Sequence, residues 1–281
     1  METIQALRDH VQLSNKFEKL TEFLRILDTA ETHLKDVLSR DKITKANCVD
    51  IEGIDGVGKT TLANALAGSN LISGSILSVS AELKLFRPYF DEQNESTKRH
   101  FFHLWDIEVS SKLNKASDET IIILDRYWPT TAAYSLANRS ANLTSNEEIS
   151  WPQYLVQPSH IFYLHLNEEE RCRRIDQRQT KTPVNDEERR IASDLQFRSR
   201  LDQIYRSIPG IYPIDSNQSI DKIVGIVIER IRNDKTVKSI YVAVYLRIES
   251  LACMKRFLKT RQQDAEETEE IDYLNDIHGS D

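Results

Sequence analysis

Short apolar runs alternate with longer segments of helical periodicity from residue 46 to about residue 234. This alternation is typical of a parallel sheet built from βαβ units. We therefore predict an α/β fold with a five-stranded parallel sheet flanked by helices. The predicted strands are residues 48–52, 76–80, 121–125, 161–166 and 211–214, and the predicted helices are residues 59–67, 98–113, 168–178, 187–208 and 220–231.

The first 45 residues have helical periodicity only. Apolar residues recur there at spacings of three and four, which aligns them in one stripe along a helix that ends near residue 42. The stripe consists of Leu13, Phe17, Leu20, Leu24 and Leu27. We predict an N-terminal helical extension, residues 1–45, whose stripe packs on the rest of the same chain in preference to a partner chain.

The C-terminal region differs in character from the α/β region. Residues 236–258 fit a strand or a helix equally well, whereas the segment from Asp264 onward is acidic and contains no Lys or Arg. Such a composition indicates a disordered tail. We therefore divide the chain into the extension 1–45, a central domain 46–234 and a C-terminal extension 235–281.

One glycine-rich motif carries the chemistry. Gly53-Ile54-Asp55-Gly56-Val57-Gly58-Lys59-Thr60 matches the G-x-x-x-x-G-K-[ST] pattern, and it lies between a predicted strand and a predicted helix. The glycines let backbone N–H groups turn toward a phosphate, and the following helix adds its positive N-terminal end. Lys59 would neutralise the β- and γ-phosphates of ATP, and the Thr60 hydroxyl would bind Mg²⁺. This motif predicts the P-loop NTPase fold.

An acid at the end of a neighbouring strand would complete the metal site. Asp125 follows the apolar run 121–124, and P-loop proteins hold Mg²⁺ with an Asp at such a strand end. We therefore expect ATP and Mg²⁺ as cofactors, with Thr60 and Asp125 as the metal ligands. Residues 114–118 have one residue too many for the Asn-Lys-x-Asp motif that reads guanine, so we interpret them as a polar loop.

Composition and charge exclude several other classes of protein. The net charge of −7 disfavours a nucleic-acid or anionic-membrane surface, because both select for clustered Lys and Arg. Apolar runs long enough to predict a membrane span are absent from the sequence. The cysteines Cys48, Cys172 and Cys253 have neither disulfide-framework nor zinc spacing. The N-terminal residues resemble neither a secretory signal nor an Arg-rich presequence.

The residues around the two motifs resemble the thymidylate kinase family of nucleoside monophosphate kinases. Ile51 to Thr61 is similar to the family's Glu-Gly-x-Asp-x-x-Gly-Lys-Thr opening, and Asp125-Arg126-Tyr127 matches its Asp-Arg-Tyr. Trp128 and Trp151-Pro152 are typical of the mitochondrial UMP-CMP kinase 2 branch of that family. The resemblance covers residues 46–233. We expect a cytoplasmic location, because the sequence has no clear presequence, or a mitochondrial one by likeness to that branch.

The resemblance also implies roles for individual residues. Thr61 would belong to the nucleotide site, Asp55 would reach the ribose of the acceptor, and Arg126 would clamp the phosphates between donor and acceptor. Arg174 and Arg178 would flank a mobile lid with its tip at residues 179–186. The acceptor site would consist of Asp55, Arg87, Arg99, Phe102, Arg126 and Tyr134, with Arg87 and Arg99 open to a second interpretation as ordinary surface charges.

One departure from the family bears on the acceptor. Thymidylate kinases carry an arginine four residues after the phenylalanine that stacks on the base, and here that position is Asp106. This favours CMP, UMP or their deoxy forms over dTMP. We predict a kinase that transfers the γ-phosphate of ATP to a pyrimidine nucleoside monophosphate. Relatives are often dimers, so a homodimer is compatible with the resemblance.

Two alternatives remain at this point. A deoxynucleoside kinase would need a carboxylate base near the acceptor, and Glu52 is the candidate by position. A catalytically silent protein that recruits a partner in a nucleotide-dependent way would use the N-terminal helices and the acidic tail.

Overall fold

A computed structural model describes residues 1–14, 17–39, 45–69, 72, 74–116, 120–139, 149–178, 184 and 186–233. Met1–Ile231 forms one compact unit, and Arg232–Asp281 forms a second, of which Arg232 and Asn233 are described. The predicted extension 235–281 lies outside the described residues. The division at residues 45 and 234 therefore stays a prediction.

The five strands form one parallel sheet in the order β2-β3-β1-β4-β5. They are β1 Lys45–Glu52, β2 Gly74–Leu77, β3 Ile121–Asp125, β4 Gln157–His165 and β5 Ile211–Asp215. Every residue of 48–52 in the central strand β1 is buried, so both faces of the sheet are covered. The predicted α/β fold of the P-loop NTPase type, with five parallel strands, is confirmed.

Eleven helices occur in the described part of the chain. They are α1 Glu2–Leu13, α2 Leu20–Leu38, α3 Lys59–Ala67, α4 Ala81–Lys84, α5 Arg87–Asp91, α6 Glu95–Leu113, α7 Trp128–Arg139, α8 Glu168–Arg178, α9 Asp186–Ser193, α10 Leu195–Ser207 and α11 Ile220–Asn233. Within these ranges, no helix has both the length and the apolar character that crossing a bilayer requires. The sequence pattern predicted neither α4 and α5, which are very short, nor α7.

The predicted helix 187–208 is wrong in one respect, because the structure divides it into α9 and α10. Asp194 between them has φ −102° and ψ 89°, which is not helical. Its side chain accepts a hydrogen bond from the backbone N–H of Phe197 at 2.9 Å. An Asp that caps a helix in this way starts a new helix at that position.

The single N-terminal helix is also a wrong prediction. The chain leaves the helical conformation after Leu13, and Lys19 has a left-handed backbone with φ 59°. This break changes the helical phase, so Leu13 is 84% exposed instead of buried. The buried apolar positions of α1 and α2 are Ile4, Leu7, Val11, Phe23, Leu27, Ala30, Leu34 and Val37.

Both N-terminal helices pack on α6 of the same chain, as predicted. An aromatic cluster forms much of this contact. The Phe23 ring lies 5.3 Å from that of Phe90, and Phe90 stacks on Phe101 at 4.2 Å between centroids. Since Phe90 belongs to α5 and Phe101 to α6, the N-terminal helices help to fix the two helices that carry Arg87, Arg99 and Phe102.

Candidate active site

The loop between β1 and α3 wraps tightly because of its glycines. Gly53 has φ 140° and Gly56 has φ 91°, both in the range that glycine adopts without strain. A Cβ on Gly53 would lie 2.5 Å from the backbone oxygen of Leu164, and one on Gly56 would lie 2.9 Å from Cγ1 of Ile175. The loop therefore fits against β4 and α8 only with glycine at these two positions.

Lys59 is the cation at the end of this loop. Its side chain is 6% exposed, and its Nζ donates to the backbone oxygen of Ile54 at 3.0 Å and lies 3.4 Å from Oδ1 of Asp55. Burial lowers the pKa of Lys59 to about 8, and the charge of Arg126 adds to this effect. An ammonium group held at the P-loop fits the polyphosphate of ATP.

Thr60 and Asp125 meet at the carboxyl ends of β1 and β3. The register pairs Ile51 with Asp125, and the Thr60 hydroxyl donates a hydrogen bond to Oδ2 of Asp125. A hydroxyl and a carboxylate are the oxygen ligands that Mg²⁺ prefers, and Mg²⁺ completes its shell with waters and substrate phosphates. The pair thus fits the expected metal. Thr61, the next residue of α3, is exposed.

Arg126 connects the loop after β3 to the P-loop. Its backbone is left-handed, with φ 77°, and its N–H donates to the backbone oxygen of Ile51 at 3.1 Å. The guanidinium binds Oδ1 of Asp55 through Nη2 and the Thr130 hydroxyl at 3.1 Å through Nη1. A non-glycine residue in this region is strained, and such strain is typical of functional sites.

Asp55 contacts two cationic side chains, those of Lys59 and Arg126. Burial would raise its pKa, but the charges of Arg126 and Lys59 outweigh burial and hold the pKa of the carboxyl below its ordinary value. Asp55 is therefore a carboxylate at neutral pH. It can accept a hydrogen bond from a substrate hydroxyl as well as from its present partners.

Glu52 lies at the end of β1, fully buried. Its Oε1 accepts from the backbone N–H of Tyr127 at 2.9 Å, and its Oε2 accepts from the Thr130 hydroxyl. Burial raises its pKa to about 7, although Thr130 and Arg126 act in the opposite direction. Glu52 thereby ties the strand before the P-loop to the loop after β3. The sequence predicted a role for Glu52 only as a candidate base. Its place directly before Gly53, at the end of a buried strand, is the signal that could have indicated this structural role.

Three arginines of α8 form contacts outside their own helix. Nη1 of Arg174 lies 3.4 Å from the backbone oxygen of Val57, and its Nη2 donates to that of Ser216 at 2.9 Å. Arg178 forms an ion pair with Glu188 of α9. Of the predicted lid tip 179–186, residues 184 and 186 are described, so the lid stays a prediction.

The sequence assigned no role to Arg171, the third of these arginines. Its side chain is fully buried, and its Nη1 donates to the backbone oxygen of Asp55 at 3.0 Å. Its Nε and Nη2 bind Glu168 at 2.7 and 2.6 Å. Arg171 therefore stabilises the P-loop through the backbone of Asp55. Its spacing of three residues from Arg174, which places both on one helix face, is the signal that could have indicated it.

Four of the predicted acceptor residues, Arg87, Arg99, Phe102 and Tyr134, lie on α5, α6 and α7. Cζ of Arg99 lies 5.8 Å from the ring centroid of Phe102 and 5.1 Å from that of Tyr134. Cζ of Arg87 lies 5.8 Å from the Phe102 ring, while its Nε binds Asp91 at 3.1 Å. The neighbouring Phe101 is fully buried in the aromatic cluster, whereas Phe102 is only partly buried.

The thymidylate kinase family model matches residues 51–227 of the chain. The chain belongs to the thymidylate kinase family. Over 197 residues it is 30% identical to the mitochondrial UMP-CMP kinase 2 of Homo sapiens, an alignment that covers 67% of this chain and 43% of the human protein. It is 25% identical over 211 residues to a probable thymidylate kinase of Thermoplasma acidophilum, covering 67% of this chain and 99% of that protein.

Among solved structures, a thymidylate kinase from Candida albicans covers 70% of this chain and 94% of its own, with 20% identity and a TM-score of 0.48. The alignment with the human relative covers 43% of that protein, so the chain spans less than half of its length. The match to the family model confirms the predicted resemblance to the thymidylate kinase family. The matched range 51–227 leaves out α1 and α2.

Proposed function

We propose that the chain is a nucleoside monophosphate kinase that transfers the γ-phosphate of ATP to a pyrimidine nucleoside monophosphate. The observation that carries this proposal is the contact between Arg126 and Asp55. It joins the P-loop to the loop that leads into α7, where Tyr134 lies. This contact supports a role for the Arg126 guanidinium between the donor and the acceptor phosphates.

Phosphoryl transfer depends on bringing two polyanions into line and neutralising the charge that develops between them. Lys59 and the P-loop amides would bind the phosphates of ATP. A Mg²⁺ ion at Thr60 and Asp125, when bound, supplies further neutralisation of the phosphate oxygens. Arg126 would contact both the donor and the acceptor phosphate, and Arg174 and Arg178 would approach from α8.

The acceptor would occupy the region between α5, α6 and α7. Its base would stack on Phe102, because aromatic rings bind bases through their faces. Arg99 and Arg87, both next to that ring, would bind its phosphate, and Asp55 would accept from its ribose. Tyr134 closes this region at Arg99. The acceptors are CMP, UMP, dCMP and dUMP, with dTMP disfavoured by Asp106.

The geometry weighs against a deoxynucleoside kinase. Such an enzyme needs a base that reaches the 5′-hydroxyl, and both oxygens of Glu52 already accept hydrogen bonds inside the protein. The silent binding protein is disfavoured as well. Lys59, Arg126 and Arg174 converge on one loop, and a scaffold that only binds nucleotide has no need of cations on both sides of the phosphates.

An acceptor panel tests the proposal. The full chain, with ATP and Mg²⁺ fixed, should release ADP with CMP, UMP, dCMP or dUMP, and release should be slow with cytidine and thymidine. ADP release with nucleosides alone would establish the deoxynucleoside kinase. Tight ATP binding without ADP release for any acceptor would establish the silent protein. A homodimer, and a cytoplasmic or mitochondrial location, stay predictions.

A further inference from the structure

A buried acid on α6 has no part in the phosphoryl transfer proposed above. Asp106 is 4% exposed, and its Oδ2 has no hydrogen-bond partner among the described residues. Nδ1 of His103 lies 3.4 Å from that oxygen, which makes an ion pair when His103 is protonated but is long for a hydrogen bond. A buried polar atom without a partner destabilises the fold, so it needs an explanation.

The position of Asp106 offers one. It follows Phe102 by four residues, which places both side chains on the same face of α6. Arg99 lies on this face one turn earlier and contacts Tyr134 of α7. Asp106 interacts with Thr131 of the same helix α7. A pyrimidine stacked on Phe102 would therefore have Arg99 toward one end and Asp106 with Thr131 toward the other.

The chemistry of the carboxylate selects among pyrimidines. An ionised carboxylate only accepts hydrogen bonds, whereas a hydroxyl both donates and accepts them. Position 4 of cytosine carries an amino group, which donates, while position 4 of uracil or thymine carries an oxygen, which accepts. Burial raises the pKa of Asp106 above its ordinary value, and the interactions with His103 and Thr131 offset part of this effect.

We infer that Asp106 selects cytosine by accepting a hydrogen bond from its exocyclic amino group, with Thr131 beside it at the same edge of the base. The inference rests on the proposed function, and it names CMP and dCMP as the preferred acceptors. The mechanism is a match of donor to acceptor at a buried site, where an unmatched pair of oxygens is strongly disfavoured.

Asp50 provides a matched control. It is a fully buried acid on β1, and neither of its carboxylate oxygens has a hydrogen-bond partner in the described ranges. Its charge interacts with Asp106, but Asp50 lies on a strand of the sheet and not on the face of α6 that carries Phe102. If the loss of any buried acid changed the preference for CMP over UMP, both variants would show the change. If Asp106 recognises the base, Asp106→Asn alone of the two would show it.

The experiment compares wild type, Asp106→Asn and Asp50→Asn by kcat/KM for CMP and UMP at saturating ATP. Calorimetry measures the binding of CMP and UMP to the same proteins. Wild type should prefer CMP by about ten-fold to a hundred-fold, as for one charge-assisted hydrogen bond. Asp106→Asn should bring the two acceptors within about three-fold of each other, because an amide can donate as well as accept. Asp50→Asn should keep the wild-type ratio.

Wild type that uses CMP and UMP equally would overturn the inference, and this result needs no variant. Equal losses for both acceptors in Asp106→Asn would also overturn it and would leave the proposed function intact. The same change of ratio in Asp50→Asn would assign the effect to general charge. If no monophosphate is phosphorylated, the proposed function fails, and binding of CMP no tighter than UMP would then overturn the inference by itself.

Discussion

The two halves of the candidate site are built in different ways. The donor side, which is the loop 53–60 with Asp125, comes from one contiguous segment and one strand end. Its polar groups already have partners, since Lys59 binds the oxygen of Ile54 and Thr60 binds Asp125. The acceptor side consists of residues from α5, α6 and α7, namely Arg87, Arg99, Phe102, Asp106, Thr131 and Tyr134.

Two buried polar atoms of the proposed acceptor side lack a hydrogen-bond partner among the described residues. Besides Oδ2 of Asp106, the buried hydroxyl of Tyr134 has no hydrogen-bond partner among the described residues. Backbone geometry and the register of β1 and β3 form the proposed donor side, while the packing of helices forms the proposed acceptor side. The N-terminal helices contact the proposed acceptor side through Phe23 and the aromatic cluster around Phe90.

The largest expected effect is on the donor side. Lys59→Ala removes the cation inside the P-loop and should lower kcat by at least about a thousand-fold, the scale of charge stabilisation in phosphoryl transfer. A coupled assay of ADP release measures it. Lys222→Ala on the exposed face of α11 is the control and should keep wild-type activity. Wild-type turnover in Lys59→Ala would exclude the P-loop as the donor side.

The next effect separates two adjacent phenylalanines on the acceptor side. Phe102→Ala should raise the KM for CMP by about ten-fold to a hundred-fold, since stacking contributes about 1–3 kcal/mol per base, and should leave the KM for ATP unchanged. Phe101→Ala should instead lower the free energy of unfolding by about 3–5 kcal/mol, because Phe101 is fully buried. Steady-state kinetics and urea unfolding measure the two effects. Identical behaviour of the variants would contradict the assignment of Phe102 to the base.

The smallest effect concerns Glu52, which ties the two sides together. Its pKa is about 7 in the folded chain against an ordinary 4.5, so the folded state holds this proton more tightly. The contribution of Glu52 to stability is therefore greatest below pH 4.5 and falls as the pH rises toward 7. The side chain of Glu52→Gln cannot ionise. When the pH is raised from about 5 to about 8, the free energy of unfolding of wild type should therefore fall by about 1–3 kcal/mol more than that of Glu52→Gln.

Urea unfolding at both pH values measures this difference, with the exposed Glu229→Gln as a control that should follow wild type. Parallel pH profiles for wild type and Glu52→Gln would show that the buried carboxyl titrates normally.

The sequence predicts the donor side better than the acceptor side for a physical reason. A contiguous motif fixes its own geometry, and the position of Asp125 follows from the parallel register of β1 and β3. The spacing of apolar positions also predicted most helices and all five strands. Breaks in helices were missed, because the cap at Asp194 and the left-handed Lys19 depend on local hydrogen bonds and packing that periodicity does not report.

The burial of individual polar residues could not be predicted either. Arg171 and Asp106 are both in helices with many charged neighbours, and a pattern of charges indicates a solvated face. The structure buries Arg171 under the P-loop and Asp106 between α6 and α7. Tertiary packing decides which charged residues leave the solvent.

The most direct measurement follows the transferred phosphate itself. The full chain is incubated with ATP labelled in its γ-phosphate, with Mg²⁺ and CMP, and the labelled product is identified. The account predicts that the label appears as the β-phosphate of CDP, because donor and acceptor meet at Arg126. Label released as inorganic phosphate, or label that remains in ATP while the nucleotide is bound, would contradict the central claim that the two sides form one kinase site.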